Sequence, residues 1–493
     1  MARPDLADRP VAWADVYPWE PPASGRPVVR SVYAQLCEAI LTGALTPRSR
    51  LPSSRDLARR LGVARASVVS AYEQLLAEGY AEARPGSGTY VRADLSGVVD
   101  APPPSPAPGP TPDTPIRAKA LAEVSGVTTQ AGERPFNTGR TLLDARAADA
   151  WARSTRRALR RLGPTHFGYS DPRGEPELRA ALADYLRAAR GVVCEPDQLI
   201  VTSGAQHAVD IAARVLLAPG VPVWLEDPHY PSTLHALSAA AAEIHAVPVD
   251  RDGLDVAAGI SAAPQARVVF VTPSHQYPLG VTLSMARRLE LLAWARGAGA
   301  WIVEDDYASE FRYSGPPLAS LQGLDGGERV IYVGTLNKAL FPGLRMGYLV
   351  APRGLMAAFV NARQMMDRQP STLTQAVVLD FIREGQFAAH IRRRRIAYKA
   401  QRDALAAELT RRLGDILSVD LPDQGMHLIA GLTDGRSDLA AEVRAREAGI
   451  TARAISRLYL QAPPRPGLML GFSGFPVSAM ATSVAQLARA LDR

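Results

Sequence analysis

Lysine is nearly missing from this chain. Of 56 basic side chains in 493 residues, only Lys119, Lys338 and Lys399 are lysines, and the rest are arginine. Chemistry that needs an amine nucleophile is confined to those three positions, because arginine stays protonated. Lys119 lies just beyond a proline-rich tract and Lys399 follows an arginine run on a predicted helix, so neither has a pocket-like setting. Cysteine is equally scarce. Cys37 and Cys194 fall in different predicted domains, which excludes a disulfide framework or a cysteine-based metal cluster. Cys37 sits on the apolar face of a predicted helix and is expected in a core. Long apolar runs are lacking too: no stretch is long enough to span a bilayer, and residues 1–20 have no signal-peptide core. A cytoplasmic protein is expected.

What is present suits a globular chain. Hydrophobic residues make up 47%, and the length suggests about two to four domains. The net charge of +7 is concentrated, since residues 26–92 hold ten arginines against five acids, a balance of +5. That is the footprint of a polyanion-binding module, although arginine in place of lysine throughout also reflects biased base composition.

Residues 1–25 read as an extension. From Pro27, Val29, Val32, Tyr33, Leu36 and Ile40 recur at helical spacing until Gly43. A second helix starts at Ser53 or Ser54, with Asp56 in its first turn, and ends at Gly62. A third runs from about Arg65 to Glu78, with Val68, Ala71, Tyr72, Leu75 and Leu76 as its apolar face. The glycine turn Gly62-Val63-Ala64 between them is that of a helix-turn-helix. Tyr80–Arg84 and Thr89–Arg92 then flank Pro85-Gly86-Ser87-Gly88, a hairpin with a glycine-rich tip. Together these predict a winged helix over 26–92. Arg65, Ala66 and Ser67 open the third helix near base edges, while Arg55, Arg84 and the wing backbone at Gly86 meet phosphates of double-stranded DNA. The bland alternative is a small tri-helical interaction module, which the basic balance and the wing disfavour.

Leu51-Pro52-Ser53-Ser54-Arg55-Asp56-Leu57-Ala58, Gly62-Val63-Ala64-Arg65-Ala66-Ser67-Val68, Ala71–Leu75 and Gly86-Ser87-Gly88-Thr89 resemble the GntR-type winged-helix domain in order and spacing. The resemblance implies Arg55 and Arg65 as DNA contacts. Ala66 departs from the threonine or asparagine common there. Residues 100–115 then contain eight prolines in sixteen positions, inside a linker placed over 93–135. At about 3.1 Å per residue this tract could hold its ends roughly 50 Å apart.

From about Phe136 short apolar runs alternate with amphipathic helices: Leu199–Val201, Val221–Leu225, Val268–Val271, Trp301–Val303 and Val330–Val333. This predicts a mainly parallel α/β sheet over 136–352, with ligands at the carboxyl ends of its strands. A helical segment and small domain follow over 353–493. The five strand ends offer a turn suited to phosphate (Gly204, Ala205, Gln206), a stacking ring (Tyr230), the Thr272–Gly280 segment with His275, a carboxylate and phenol (Asp305, Tyr307), and Lys338. In Gly334–Gly347, Lys338 is placed to form a Schiff base with pyridoxal phosphate, with Thr335 and Arg345 able to hold the phosphate. Lys338 alone could be an ordinary loop lysine; the five strand ends together favour the cofactor.

The same residues resemble class I, fold-type I aminotransferases, and 27 to about 475 resembles the MocR family, which fuses a GntR domain to an aminotransferase-like domain. By that resemblance Lys338 carries the cofactor, Asp305 faces its pyridine nitrogen, Tyr307 its 3′-oxygen and Tyr230 its ring. Gly204, Ala205, Gln206, Thr335 and Arg345 hold the phosphate, and Tyr169 reaches the phosphate of a partner subunit, which implies a homodimer. Three departures stand out. Tyr277 replaces the asparagine of Asn-Pro-x-Gly, and Met469 stands where aminotransferases place an arginine for the substrate carboxylate, three residues before Phe472. Arg453, Arg457 and Arg465 are the candidate substitutes. Ser232 replaces an arginine of the GABA-responsive member, which argues against a GABA effector. The Arg392–Arg395 run reads as a solvated or interdomain face rather than a second DNA patch, and His427 as structural. The expected function is a DNA-binding regulator that senses pyridoxal phosphate or an amine effector, with vitamin B6 synthesis genes as the first target. The alternatives are an active aminotransferase bearing a DNA domain and a regulator that has lost its cofactor.

Overall fold

The computed structural model describes residues 28–94, 134–141, 143–315 and 318–492. The predicted extension and nearly all of the linker lie outside the described residues. The chain divides into two compact units, Met1–Gly126 and Val127–Arg493.

In the first unit, α1 (Val28–Leu41), α2 (Ser54–Leu61) and α3 (Arg65–Ala77) precede a hairpin of β1 (Ala81–Arg84) and β2 (Gly88–Val91). Ser53 caps α2 by accepting the Asp56 N–H at 3.2 Å, and Gly62 ends it at φ 65°. Val32, Leu36, Ile40, Leu57, Val68 and Leu75 are each at most 2% exposed, and burying each contributes about 1.5–3 kcal/mol. The Tyr72 hydroxyl donates to Pro52 O at 2.8 Å, locking α3 to the segment that leads into α2. A third strand-like piece is invisible in the sequence: residues 48–51 run beside β2, with Arg50 bridged to Tyr90 and the Leu51 N–H donating to Thr89 O at 2.8 Å. Arg48-Ser49-Arg50-Leu51 is too short for alternation to reveal it.

The second unit opens with α4 (Ala145–Arg161) and α5 (Pro176–Arg190). Then come β3 (Leu199–Thr202), α6 (Ala205–Leu216), β4 (Pro222–Asp227), α7 (Pro231–Ala239), β5 (Glu243–Asp250), β6 (Gly253–Leu254) and α8 (Val256–Ala262). β7 (Val268–Val271), α9 (Met285–Ala298), β8 (Trp301–Asp306), α10 (Leu321–Asp325), β9 (Val330–Thr335), α11 (Leu336–Ala339) and β10 (Gly347–Val350) complete one sheet, of order β3-β10-β9-β8-β7-β4-β5-β6. The five apolar runs are β3, β4, β7, β8 and β9. Their two faces feed different cores: Ile200, Val303, Ile331 and Leu349 pack with α6, whereas Leu199, Val201, Tyr332 and Tyr348 pack with α5. Burial on both faces explains why these strands read as continuous apolar runs.

The sheet also holds strands the apolar runs did not announce. β10 is antiparallel to both β3 and β9, because the short return from β9 is too brief for the crossover that a parallel strand needs. Gly347 begins β10, and a Cβ there would lie 2.7 Å from Gly204 C and 2.8 Å from Gly334 O. Both neighbours are backbone and cannot yield. Gly347→Ala is expected to cost about 1–3 kcal/mol by overpacking, seen as a lower thermal midpoint together with weaker pyridoxal phosphate uptake. An unchanged midpoint would show that the two loops are not held together as described.

The remainder comprises α12 (Met356–Asp367), α13 (Thr372–Arg383), the 28-residue α14 (Gln386–Leu413), β11 (Leu417–Asp420), β12 (His427–Leu432), α15 (Asp438–Glu447), β13 (Arg453–Ala454), β14 (Gly467–Gly471) and α16 (Val477–Leu491). β11-β12-β14-β13 is an antiparallel sheet. Phe136, counted with the large domain on sequence grounds, bonds to this sheet, its carbonyl accepting the Gly471 N–H at 2.8 Å, and Pro135, counted with the linker, accepts the Thr451 N–H just before β13 at 3.0 Å. The arginine run is structural over most of its length. Arg393 and Arg394 pair with Asp144 at 3.2 and 2.8 Å, and Arg395 donates to Glu310 O; Arg392 is exposed. Among the described residues no helix is long and apolar enough to cross a membrane.

Candidate cofactor site and DNA-binding face

The end of β8 sorts three adjacent acids by strand alternation. Glu304 accepts the N–H groups of Leu321 and Gln322 at 3.1 and 2.9 Å. Asp306 accepts Arg190 Nε at 2.7 Å and the Tyr332 hydroxyl at 2.5 Å. Asp305, pointing the other way, buries Oδ1 with no hydrogen-bond partner among the described residues. Burial first, and then the charge of Asp306, push its carboxyl up to about 7. Tyr307 likewise buries its hydroxyl without a partner, and burial raises its pKa well above the usual value. Unpartnered buried polar atoms are costly, and this pair is suited to a ligand that offers a protonated nitrogen and an oxygen. The pyridine ring of pyridoxal phosphate carries both.

Lys338 follows on α11. Burial, and then the charge of Arg453, lower its pKa, which favours the neutral amine that attacks a carbonyl. Tyr230, at the start of α7, stands edge-on to Tyr277 with ring centroids 5.0 Å apart. His275 is 2% exposed and neither ring nitrogen has a partner among the described residues. Its ring lies 6.0 Å from that of Tyr307 and 5.1 Å from that of His427. Burial and His427 hold it neutral, well below the usual range.

The phosphate side of the site is formed by the turn that opens α6. Gly204 has φ 103°, a conformation that favours glycine, and a Cβ there would meet Asn337 Nδ2 at 2.9 Å. The Asn337 Oδ1 accepts the Met346 N–H at 2.8 Å, tying the Lys338 segment to the residue that leads into β10. Arg345, exposed and at φ 53°, is one of the charges that, after burial, lower His207 to about 4, which places it beside the first turn of α6. Ala205 is half-buried and Gln206 exposed. The Thr335 hydroxyl is engaged within the chain, accepting the Asn337 N–H at 3.2 Å and donating to Met346 O at 3.4 Å. Tyr169 stands apart: it is 80% exposed and stacks under Arg368, 4.1 Å from its ring.

Four further residues reach this site. Glu226, at the end of β4, accepts the N–H and hydroxyl of Thr272 at 3.1 and 2.6 Å; burial pushes it up to about 7 and Asp305 adds to this. Tyr277, noted in the sequence only as a departure, contacts the rings of Tyr230, Tyr307 and His427. His427, predicted to be structural, donates its Nε2–H to Pro278 O at 2.9 Å and also faces Lys338, whose charge, after burial, helps lower it to about 4. Arg453 lies near enough to Tyr277 for its charge to oppose the rise that burial gives that phenol. Tertiary folding brings these together from β4, the β7–α9 loop, β12 and β13, a grouping that no local spacing records.

On the first unit, Arg65 is the first residue of α3, exposed, with Nε 3.3 Å from Ser54 Oγ. Ala64 gives α3 no side-chain cap, so its leading N–H groups are left to water or phosphate. Arg55 and Ala66 are exposed, Ser67 is half-buried, and Gly86 sits exposed at the hairpin tip with φ 74°. Arg84 is less free than its position in the wing implies. It binds Glu82 at 2.7 and 3.0 Å and stacks on Tyr90. Glu82→Gln should release it for a phosphate, steepening the salt dependence of DNA binding by about 0.9 in slope for each phosphate newly neutralised. An unchanged slope in a salt titration would show that Arg84 stays off the DNA.

Comparison with known proteins agrees with both faces. Residues 28–91 match the gntR family of bacterial regulatory proteins, and residues 134–467 match aminotransferase class I and II. The probable rhizopine catabolism regulatory protein MocR of Rhizobium meliloti is 39% identical over 461 residues, covering 94% of this chain and 93% of that protein. This chain belongs to the MocR-type, GntR-family transcriptional regulators. Another member, the pyridoxine biosynthesis regulator PdxR of Corynebacterium glutamicum, is 31% identical with 99% of each chain covered. Among solved structures, the α-aminoadipate aminotransferase LysN of Thermus thermophilus, complexed with N-(5′-phosphopyridoxyl)-L-leucine, matches with a TM-score of 0.69 and 26% identity over 76% of this chain and 96% of LysN. As a MocR-type regulator, the protein binds DNA through its winged helix and pyridoxal phosphate in its fold-type I domain.

Proposed function

We propose that Lys338 holds pyridoxal phosphate covalently and that this site biases how the protein binds its operator. The buried, unpartnered Asp305 Oδ1 and Tyr307 hydroxyl carry the reading. When bound, the cofactor supplies an aldehyde that condenses with a primary amine. Asp305 keeps the ring nitrogen protonated and recovers its own charge in doing so. Tyr307 would donate to the ring oxygen, Tyr230 would cover the ring beside Tyr277, and the buried His275, 6.0 Å from Tyr307 between ring centroids, would line the site. Gly204, Ala205, Gln206, Thr335 and Arg345 receive the phosphate, with Thr335 serving chiefly to fix the Lys338 loop through its two internal bonds.

The protein acts as a cytoplasmic homodimer, with Tyr169 reaching the partner's phosphate. In support, Phe167, Tyr169 and Met365 are 72%, 80% and 87% exposed, large side chains that a partner subunit would cover. An amine effector that binds one arrangement of the dimer more tightly shifts it by that difference in affinity and no more. Full-length similarity to PdxR supports vitamin B6 synthesis genes as the target, while the higher identity to MocR supports a catabolic operon as the second reading. Transcript changes on deletion decide between them.

Met469 in place of the expected substrate arginine favours a sensor over an aminotransferase. Borohydride reduction followed by peptide mapping should label Lys338, and assays with amino acid and keto acid pairs should show no sustained turnover. Label at another residue removes the assigned role of Lys338; turnover at ordinary enzyme rates replaces the regulator by the enzyme.

A further inference from the structure

We infer that residues 135–141 form a strap that carries the state of the cofactor site into the linker, and so to the winged helix. This rests on the coupling proposed above and names the route by which that coupling runs.

The covalent chain from the winged helix enters the second unit's described part through these residues, so whatever holds them also holds the end of the linker. They are tied at both ends. At the first, the small sheet bonds to their backbone: Phe136 O accepts the Gly471 N–H at 2.8 Å, and Pro135 O accepts the Thr451 N–H at 3.0 Å. Residues just past β14 extend this hold. The Ser473 hydroxyl donates to Arg140 O at 2.7 Å, and the Arg140 guanidinium lies 4.8 Å from the centre of the Phe475 ring. At the second end, the buried Thr141 hydroxyl donates to Leu340 O at 3.3 Å, two residues beyond Lys338. One short segment therefore joins the stretch that bears Lys338 to the sheet that brings His427 against Tyr277.

Two further observations set the strap apart from a passive connection. Its fit is close: a Cβ on Gly471 would lie 2.6 Å from Asn137 O, and one on Gly474 would lie 2.8 Å from Arg140 Cγ. The first of these neighbours is backbone and cannot yield. Phe136, only 1% exposed, is also held at φ 67°, the left-handed region in which a bulky side chain is strained. Such strain persists only where the surroundings impose it. A shift of the Lys338 segment or of the small sheet thus changes the forces on Phe136 through a few named bonds, and the strap passes that change to the linker.

The test uses the full-length protein, a duplex from its own upstream region and pyridoxal phosphate. Operator affinity is measured by fluorescence anisotropy with and without saturating cofactor in wild type, Thr141→Val, Thr141→Ser and the double variant Thr141→Val/Ser473→Ala. Loss of one buried hydrogen bond in Thr141→Val should reduce the cofactor-dependent ratio of affinities about fivefold. The double variant should bring the ratio within about twofold of unity, while Thr141→Ser, which keeps the donor, should retain the wild-type ratio. Cofactor uptake, read from visible absorbance, and DNA binding without cofactor should match wild type throughout. Amide hydrogen exchange gives a second readout that needs no variant: cofactor addition to wild type should change exchange in a peptide covering 135–141. A double variant that keeps the wild-type ratio, or a strap peptide whose exchange in wild type is indifferent to the cofactor, overturns the proposal. A wild type that takes up cofactor with no change in operator affinity overturns instead the reading on which it rests.

Discussion

Lys338→Ala is expected to abolish covalent capture of pyridoxal phosphate and, with it, any response of operator binding to amines. The chain leaves no substitute. Its other lysines are Lys119, which lies outside the described residues, and the exposed Lys399 of α14, which pairs with Asp403 at 2.9 Å. Arginine cannot take the role, because its guanidinium remains protonated. Lys338 is also the lysine whose pKa burial, and then Arg453, lower, which favours the neutral amine that attacks an aldehyde. The variant should lose the visible absorbance of lysine-bound cofactor and the borohydride label. It should still bind DNA, since the winged helix has its own core. Retention of the label, or an amine response equal to wild type, would show that the covalent link is not what the site senses through.

The second large effect is on the DNA face. Arg65→Ala should lower operator affinity about ten- to a hundredfold, corresponding to roughly 1–3 kcal/mol per base contact, while leaving cofactor uptake unchanged. Arg65 is exposed at the first position of α3, the end of a recognition helix that meets base edges. Its single bond, to Ser54 Oγ at 3.3 Å, aims the guanidinium without neutralising it. Fluorescence anisotropy on a duplex from the protein's own upstream region would measure this, with a shuffled duplex as control. Affinity within twofold of wild type on the operator would remove Arg65 from the readout. Loss on both duplexes alike would make it a phosphate contact instead.

Local chemistry made much of this legible. The helix starts at Ser53, the glycine turn at Gly62, the hairpin tip at Gly86 and the five buried strands each leave a mark within a few residues. The strand-end rule then gathers Gly204, Tyr230, His275, Asp305, Tyr307 and Lys338 into one site from sequence alone. What stayed hidden depends on partners far apart in sequence. Of three adjacent acids, only Arg190, Tyr332 and the N–H groups of α10 show why Asp305 alone is free. Arg84 looked like a free wing arginine, because its pairing with Glu82 depends on side-chain geometry in the hairpin. No local spacing sets Arg453 opposite Met469; the strand register does. β10 escaped because four residues after a loop carry no periodicity, although they join β3 to β9 and bring Gly204 against Gly347.

The decisive measurement is the affinity of the wild-type chain for its own upstream DNA with and without saturating pyridoxal phosphate, at fixed salt. Coupling between the cofactor site and the winged helix predicts a change of about five- to 150-fold, equivalent to roughly 1–3 kcal/mol, that is absent in Lys338→Ala. Equal affinity in both conditions, with cofactor uptake verified in the same sample, would contradict it.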